Sequence, residues 1–473
     1  MKQNFSFDTD NMIIHMVGIG GISMSGLAEI LMNKNVKITG SDLHSTEITE
    51  RLRNMGADIY PSHDARNITN QNLVVYTAAV SPDNPELVEA RNRNIPVIER
   101  AELLGSIMEQ FDESIAVSGT HGKTTTTSMI SSIMLEAGLD PTIHVGGILD
   151  LIGGNTRIGG SSYFVAEACE YKDSFLKLRP SLAVVLNIDA DHLDYFRDID
   201  HIRSSFESFL SNVRNPGHIV LNLDDPQTKT LAKTLTRPVT SYGLNSAEAD
   251  WEAEDISLKE GHSSFTAIYK KSVWANVTLF VPGLHNVSNA LAAISACHAL
   301  GIPQSAIIKG LEHFKGTHRR LEDKGNVHGI RVMDDYAHHP TEIQATLSAA
   351  RSLTSGRLIC VFQPHTYTRT FELLDDFSRA FAQADTVVVT DIYAAREKDM
   401  GLINSRVLTD RINLNTGNAV YISEFDDIVE FLQENAQPGD LILTMGAGSV
   451  YKAGELFLAA SKSLNQQPSV SGL

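Results

Sequence analysis

Cysteine is scarce in this chain. Cys169, Cys297 and Cys360 are the only three in 473 residues, odd in number and far apart. That spacing excludes a disulfide framework and argues against a zinc site, since both need paired or closely spaced thiols. Reduced, mostly buried thiols are expected. Basic charge is also short: Lys and Arg total 39 against 57 Asp and Glu, a formal net charge of −18. Nucleic acid and anionic membrane are therefore disfavoured as partners, because each needs a basic face. No apolar run approaches the length of a membrane span, and the opening stretch lacks the basic flank and apolar core of a signal peptide. A soluble, cytoplasmic protein is expected. If its ligands are phosphates, positive charge must be local, and each Lys or Arg inside a motif becomes informative.

The chain is too long for one ordinary domain, so two to four are expected. Its composition, 42% hydrophobic and 20% charged, suits several globular cores. The most informative stretch is SIAVSGTHGKTTTTS at 114–128. A short apolar run meets a turn punctuated by Gly119 and Gly122, then Lys123 and a row of hydroxyls, then an apolar helical pattern. This predicts a strand, a phosphate-cradling loop and a helix. Backbone amides and the helix N-terminus face the phosphates, Lys123 adds a full charge, and Thr124 can hold Mg2+. The spacing is a shortened variant, since GxxxxGK[ST] would need glycine where Val117 stands.

Residues 12–17 (MIIHMV) read as a buried strand, followed by GIGGISMSG at 18–26, a helix, and a second strand over 36–40 ending in Ser41 and Asp42. Taken alone this suggests a dinucleotide site, although Ser23 stands where the third glycine of GxGxxG belongs. Any diphosphate could use the same turn. Further α/β units follow: strands at 73–77 and 96–98 around a helix at 84–94, then a linker near 111–113. YFVAE at 163–167 is a strand closing on Glu167, and SLAVVLNI at 181–188 runs into DADHLD at 189–194, a second metal or phosphate position. Residues 218–280 read as a β-rich part of the same domain, and PGLHNVSN at 282–289 opens a helix. A second linker is placed at 317–324, around HRRLE. The last domain has strands at 330–333, 358–362, 386–390 and 441–444 and the motifs DDYAHHPTE (334–342) and QPHTYTRT (363–370). The first dozen residues are expected to be loose and those from Lys462 onward disordered.

The ordered set GIGGISMSG, GTHGKTTTT, VAEACE, NIDADHLD, PGLHNVSNA, HRRLE and DDYAHHPTE resembles the Mur ligases of peptidoglycan synthesis over nearly the whole chain. Within them it is most similar to the branch that takes L-alanine. The resemblance implies a three-domain α/β fold: a Rossmann-like UDP-sugar domain at 1–112, a central P-loop ATP-binding domain with a β-rich part at 113–322, and a Rossmann-like C-terminal domain at 323–473. It implies ATP, UDP-N-acetylmuramate and L-alanine as partners, Mg2+ as cofactor, and a monomer or weak homodimer.

The resemblance also distributes roles. Gly18, Gly20, Gly21 and Ser23 become contacts to the substrate's diphosphate, with Asp42 near the UDP end. Gly119, Thr120, His121, Gly122, Lys123, Thr124 and Thr125 hold ATP phosphates, while Thr124, Glu167 and His192 hold Mg2+. Asn286 and Asn289 match the adenine contact, Arg320 the arginine directed at phosphates, and Asp335 with Tyr336 the ribose and adenine contacts. Lys123, His192, Arg320 and His338 are the catalytic candidates, and His339 a further candidate for the amino-acid side. Arg369 is expected to reach the substrate's carboxylate or phosphates. Glu207 stands where several sibling ligases carry a carbamoylated lysine, and implies a permanent negative charge near the metals. A related ligase that attaches a whole recycled peptide to the same sugar nucleotide shares most of these motifs. A nicotinamide-dependent oxidoreductase, read from the first turn, leaves Lys123, Glu167 and His192 unexplained.

Overall fold

The computed structural model describes residues 12–464 apart from 78, 260 and 396. They form two compact units: one comprises residues up to Asp189 with Asp198–Glu252 and Ala290–Leu311, the other Ala190–Arg197, Ala253–Asn289 and the chain from Glu312 on. The loose opening expected for the first dozen residues falls almost wholly outside the described residues. The tail expected to be disordered begins inside a helix, Tyr451–Leu464, and its remainder also lies outside them. Among the described residues no helix is long and apolar enough to cross a membrane.

The first unit holds an all-parallel five-stranded sheet in the order Asp58–Tyr60, Lys37–Ser41, Ile13–Val17, Leu73–Tyr76, Val97–Glu99. Consecutive parallel strands need crossovers, and the helices Ile22–Asn33, Glu47–Asn54 and Pro85–Asn92 supply them. The helix expected at 84–94 starts at Pro85 because Asn84 caps it, accepting from the Glu86 amide, and it ends at Asn92. A second sheet in this unit runs Val239–Gly243, His218–Asn222, Leu182–Val185, Glu113–Ser118, Tyr163–Glu167, Thr142–Leu149, Gly154–Arg157, and is parallel except for its last pair.

The expectation of a β-rich part over 218–280 fails in its first third. Residues 218–243 continue the α/β pattern, because Asp225 caps the helix Pro226–Thr234, accepting from the Gln227 and Thr228 amides with proline as the first helical residue. Antiparallel pairing appears in the hairpin His262–Tyr269 with Ser272–Leu279, which belongs to the second unit.

The second unit's larger sheet runs Glu322–Val327, Ile330–Asp335, Leu441–Met445, Leu358–Phe362, Thr386–Val389, Ala419–Tyr421, with only the first pair antiparallel. The linker expected at 317–324 therefore ends early, since residues from Glu322 on form that antiparallel partner. Strand side chains alternate between faces, so a strand covered on both sides must be apolar throughout. LICVF at Leu358–Phe362 does this. Cys360 and Phe362 join one core with Met333, Val387 and Leu443, while Ile359 and Val361 join the other with Val332, Val388 and Ile442.

Close packing also constrains the helix of the phosphate loop. A Cβ on Gly310, in the helix Gln304–His313, would lie 2.4 Å from the Ile133 Cα, and the Ser132 hydroxyl donates to the Gly310 carbonyl at 2.7 Å. Gly310→Val is expected to lower the apparent stability by about 1–3 kcal/mol through overpacking. A urea unfolding curve with an unchanged midpoint would refute this.

Candidate active site

The phosphate loop follows the strand Glu113–Ser118 as the sequence implies. Gly119 and Gly122 have φ of 138° and 86°, conformations that side chains rarely adopt, and Gly122 caps the helix Lys123–Glu136. The His121 amide donates to Asn187 Oδ1 at 2.8 Å, and the Asp189 amide donates to Thr120 Oγ1 at 2.9 Å. These bonds pin the loop to the end of the neighbouring strand.

Lys123 differs from expectation in having intrachain partners for its ammonium. It donates to the carbonyls of Gly119 and Thr120 and to both oxygens of Glu170, at 3.1 and 2.9 Å. Burial alone would draw its pKa down, but Glu170, with Cys169 and Glu167 nearby, raises it, so the ammonium stays charged. Glu170 was missed by sequence reasoning, although it ends the same VAEACE motif that supplies Glu167.

Thr124 and Glu167 each lie against one of two adjacent glycines on the strand Thr142–Leu149. Glu167 Oε1 accepts from the Gly146 amide at 2.7 Å, and a Cβ on Gly146 would sit 2.7 Å from Oε2. A Cβ on Gly147 would lie 3.1 Å from the Thr124 methyl. The same strand carries His144. Its Nε2 meets Ser23 Oγ at 2.8 Å and its Nδ1 meets Thr156 Oγ1 at 3.1 Å.

In the N-terminal sheet, Ser23 lies in the first turn of the helix Ile22–Asn33, after the turn formed by Gly18, Gly20 and Gly21. Asp42 is committed to that turn: its Oδ2 accepts from the Gly20 amide at 2.9 Å. Behind it Glu86 is fully buried and holds His15 at 3.1 Å, His63 at 2.8 Å, Ser41 at 2.6 Å and Asn67 at 2.7 Å. Burial acts to raise its pKa, yet the hydrogen bonds from His15, Ser41 and Asn67 keep it below the usual value. No periodicity or motif marks this cluster in the sequence.

The second unit carries the remaining candidates. Of the paired arginines, Arg319 is structural: it donates to Asp334 at 2.9 Å and to the carbonyls of Gly446 and Gly448, between the rings of Tyr336 and Tyr451. Arg320 is less engaged, 3.9 Å from Glu342 and over the Tyr336 ring. Asp335, which the resemblance gives to the nucleotide, is buried and accepts from the amides of Leu321 and Ala337 at 2.8 Å each. Burial pushes its carboxyl up to about 6 against the opposing effect of Arg320. Asn286 and Asn289 are buried, and the Asn289 amide donates to Asn286 Oδ1 at 3.3 Å.

The two histidines separate. His339 caps the helix Pro340–Arg351, and its Nε2 lies 3.2 Å from the Ala190 carbonyl. His338 Nδ1 lies 2.9 Å from the Tyr336 carbonyl oxygen, and burial pulls its pKa down to about 4, so it is neutral at pH 7. This geometry puts the proton on Nδ1 and leaves Nε2 as the acceptor nitrogen.

Arg369, expected to reach the substrate, has an acidic partner of its own. It lies in the second unit and pairs at 2.8 Å with Asp191, both side chains about one-tenth exposed. It also meets His365 Nδ1 at 3.0 Å. The pair borders an open pocket lined also by His192, Asp194, Thr366, Glu372 and Glu397. Burial would raise Asp191, but Arg369 and the histidines 192, 339 and 338 hold it far below the usual carboxylate range. Glu207 is exposed on the helix Ile199–Ser211, whose buried face carries Ile202, Phe206 and Phe209, so its charge is a solvated one.

A P-loop and a Gly-rich βα turn lie in one unit, and the chain belongs to the Mur ligase family of ATP-dependent ligases. Residues 13–112 match the family's "Mur ligase family, catalytic domain", 117–297 its "Mur ligase middle domain" and 319–448 its "Mur ligase, glutamate ligase domain". The chain is 57% identical over 446 residues to a protein of Acetivibrio thermocellus named UDP-N-acetylmuramate--L-alanine ligase, covering 94% of this chain and 95% of that one. Among solved structures it is similar to the UDP-N-acetylmuramate-alanine ligase MurC of Thermotoga maritima, with a TM-score of 0.81 and 29% identity over 96% of this chain and 100% of that one. A murein peptide ligase from Psychrobacter arcticus follows with a TM-score of 0.72 and 27% identity, over 95% of this chain and 99% of that one.

Removing one member of a buried ion pair strands the other charge, at a cost of about 3–5 kcal/mol. Asp191→Asn is expected to destabilise the chain by about 3 kcal/mol at pH 7. Because the folded carboxyl has the lower pKa, the wild-type advantage is complete above pH 4 and shrinks as pH falls further. Equal denaturation midpoints at pH 7 would rule this out.

Proposed function

We propose that this chain is the ATP-dependent ligase that joins L-alanine to UDP-N-acetylmuramate, acting in the cytoplasm as a monomer or weak homodimer. The observation that carries the reading is the phosphate loop with Lys123 charged and held at its mouth, in the same unit as the Gly-rich turn of the N-terminal sheet. A carboxylate is anionic and resonance-stabilised, so an amine does not attack it at a useful rate. In the proposed reaction one carboxylate oxygen of the muramate takes the γ-phosphoryl group, and ADP leaves. The alanine nitrogen then adds to the carbonyl carbon of the acyl phosphate. The tetrahedral adduct expels inorganic phosphate, and the amine's proton goes to a base.

Several anionic groups meet in the first step, so fixed positive charge and amide dipoles are the main requirement. Lys123 and the amides from Gly119 to Thr125 serve the ATP phosphates, and Arg320 is assigned to the same anions. Neutral His338, with Nε2 as acceptor, suits the amine's proton. The hydroxyl of Thr124 and the carboxylate of Glu167 are hard oxygen donors of the kind Mg2+ prefers, and the glycines beside them leave space a Cβ would fill. A metal held there supplies charge neutralisation between phosphates. His192, Asn286, Asn289, Asp335 and Tyr336 keep the roles the family resemblance gives them. Identity of 57% to an alanine ligase, and a TM-score of 0.81 to a solved alanine ligase against 0.72 to a peptide ligase, favour the single amino acid.

Phosphate release should require ATP, UDP-N-acetylmuramate and L-alanine together. Robust turnover with a tripeptide but not with alanine would replace this reading by the peptide ligase. Lys123→Ala is expected to lower kcat by about 10²-fold or more, the scale seen on losing other transition-state stabilisers, without loss of the folded circular dichroism signal.

A further inference from the structure

We infer that Arg100 is the side chain that binds the diphosphate of the sugar nucleotide, an assignment that rests on reading the Gly-rich turn as the UDP end. That turn, GIGGISMSG, contains no basic residue. It offers amides: the first backbone bond of its helix is from Ser25 to the Gly21 carbonyl, so the amides of Ile22, Ser23 and Met24 precede the helical ladder. Yet it also holds a negative charge, since Asp42 accepts from the Gly20 amide. A doubly charged diphosphate beside that carboxylate needs a compensating cation.

Arg100 supplies it. It opens the helix Arg100–Met108 directly after the strand Val97–Glu99. Its Nη1 donates to Ser23 Oγ at 2.9 Å, which brings the guanidinium onto the turn. It is half-buried, and among the described residues this is its one hydrogen bond, with no ion pair. A guanidinium has five N–H donors, and one neutral hydrogen bond does not compensate a partly desolvated charge until an anion arrives. Arg51, also on this face of the unit, is already paired with Glu29.

The neighbours of Arg100 fit this role. Because Arg100 donates to Ser23, the serine hydroxyl gives its own hydrogen to His144 Nε2, and His144 Nδ1 donates to Thr156. Burial, and secondly Arg100, draws the His144 pKa down to about 3, so the ring remains a neutral acceptor. The chain of bonds runs in one direction and fixes Arg100 on the turn. The positive charge also acts on Cys169, next to the Glu170 that holds Lys123. Arg100 therefore lies between the substrate cradle and the motif that lines the phosphate loop.

The test uses the full chain and compares uridine, UDP and UDP-N-acetylmuramate as ligands of the wild type, Arg100→Gln and Arg100→Lys. Loss of a charge-assisted contact predicts that Arg100→Gln weakens UDP and UDP-N-acetylmuramate by a similar factor, roughly 10- to 100-fold, and leaves uridine unchanged, with partial recovery in Arg100→Lys. Three results would overturn the inference: unchanged binding of UDP, a loss confined to UDP-N-acetylmuramate, or an equal loss for uridine and UDP. The second would place Arg100 on the muramate carboxylate, and the third would mean a deformed turn. A wild type that binds none of the ligands would overturn the UDP reading itself.

Discussion

Phosphate binding by a chain of net charge −18 is the constraint on which this structure turns. Long-range attraction works against it, so the protein relies on short-range devices: amides at helix N-termini and single cations fixed at the mouth of each cradle. At the phosphate loop and at the Gly-rich turn an acid engages such a device. Glu170 holds the Lys123 ammonium, and Asp42 holds the Gly20 amide. A partly buried cation without a partner is costly, and Glu170 offsets that cost for Lys123. Both acids also set a threshold, since an incoming anion must compete with a carboxylate already in place.

One strand keeps the two cradles in register. Along Thr142–Leu149, His144 meets the serine of the Gly-rich turn, Gly146 holds the Glu167 carboxylate and Gly147 lies against Thr124. A shift along this strand would move the proposed substrate contact and the proposed metal ligands together. In the second unit Arg319 does comparable work, tying the Gly446 and Gly448 carbonyls to Asp334 between two tyrosines. That leaves its neighbour Arg320 available to a ligand.

Features encoded locally were legible in the sequence. The apolar runs at Tyr163–Glu167 and Leu358–Phe362 gave strands with the expected bounds, and the glycines at 119 and 122 marked the phosphate loop, because strand patterning and positive φ are properties of a few adjacent residues. Capping was less visible: Asn84 and Asp225 set helix starts that the hydrophobic pattern placed elsewhere or missed. Long-range pairings were not legible. Glu170 with Lys123, Asp191 with Arg369, and Glu86 with His15 and His63 join residues whose partners lie between 23 and 178 positions away, and no spacing announces them. Asp335 and Arg369, to which the resemblance gives ligand roles, also balance groups of their own unit, and no motif shows those partners.

The series Arg100, Ser23, His144, Thr156 also has an evolutionary consequence. Each member is donor to the next, so the direction of every bond is set by the one before it. A lineage that exchanged Ser23 for an apolar residue would strand the imidazole, and one that lost His144 would strand the serine hydrogen. These positions, scattered over more than a hundred residues of sequence, cannot drift independently. They form one inherited character, and substitutions among them should arrive as a set.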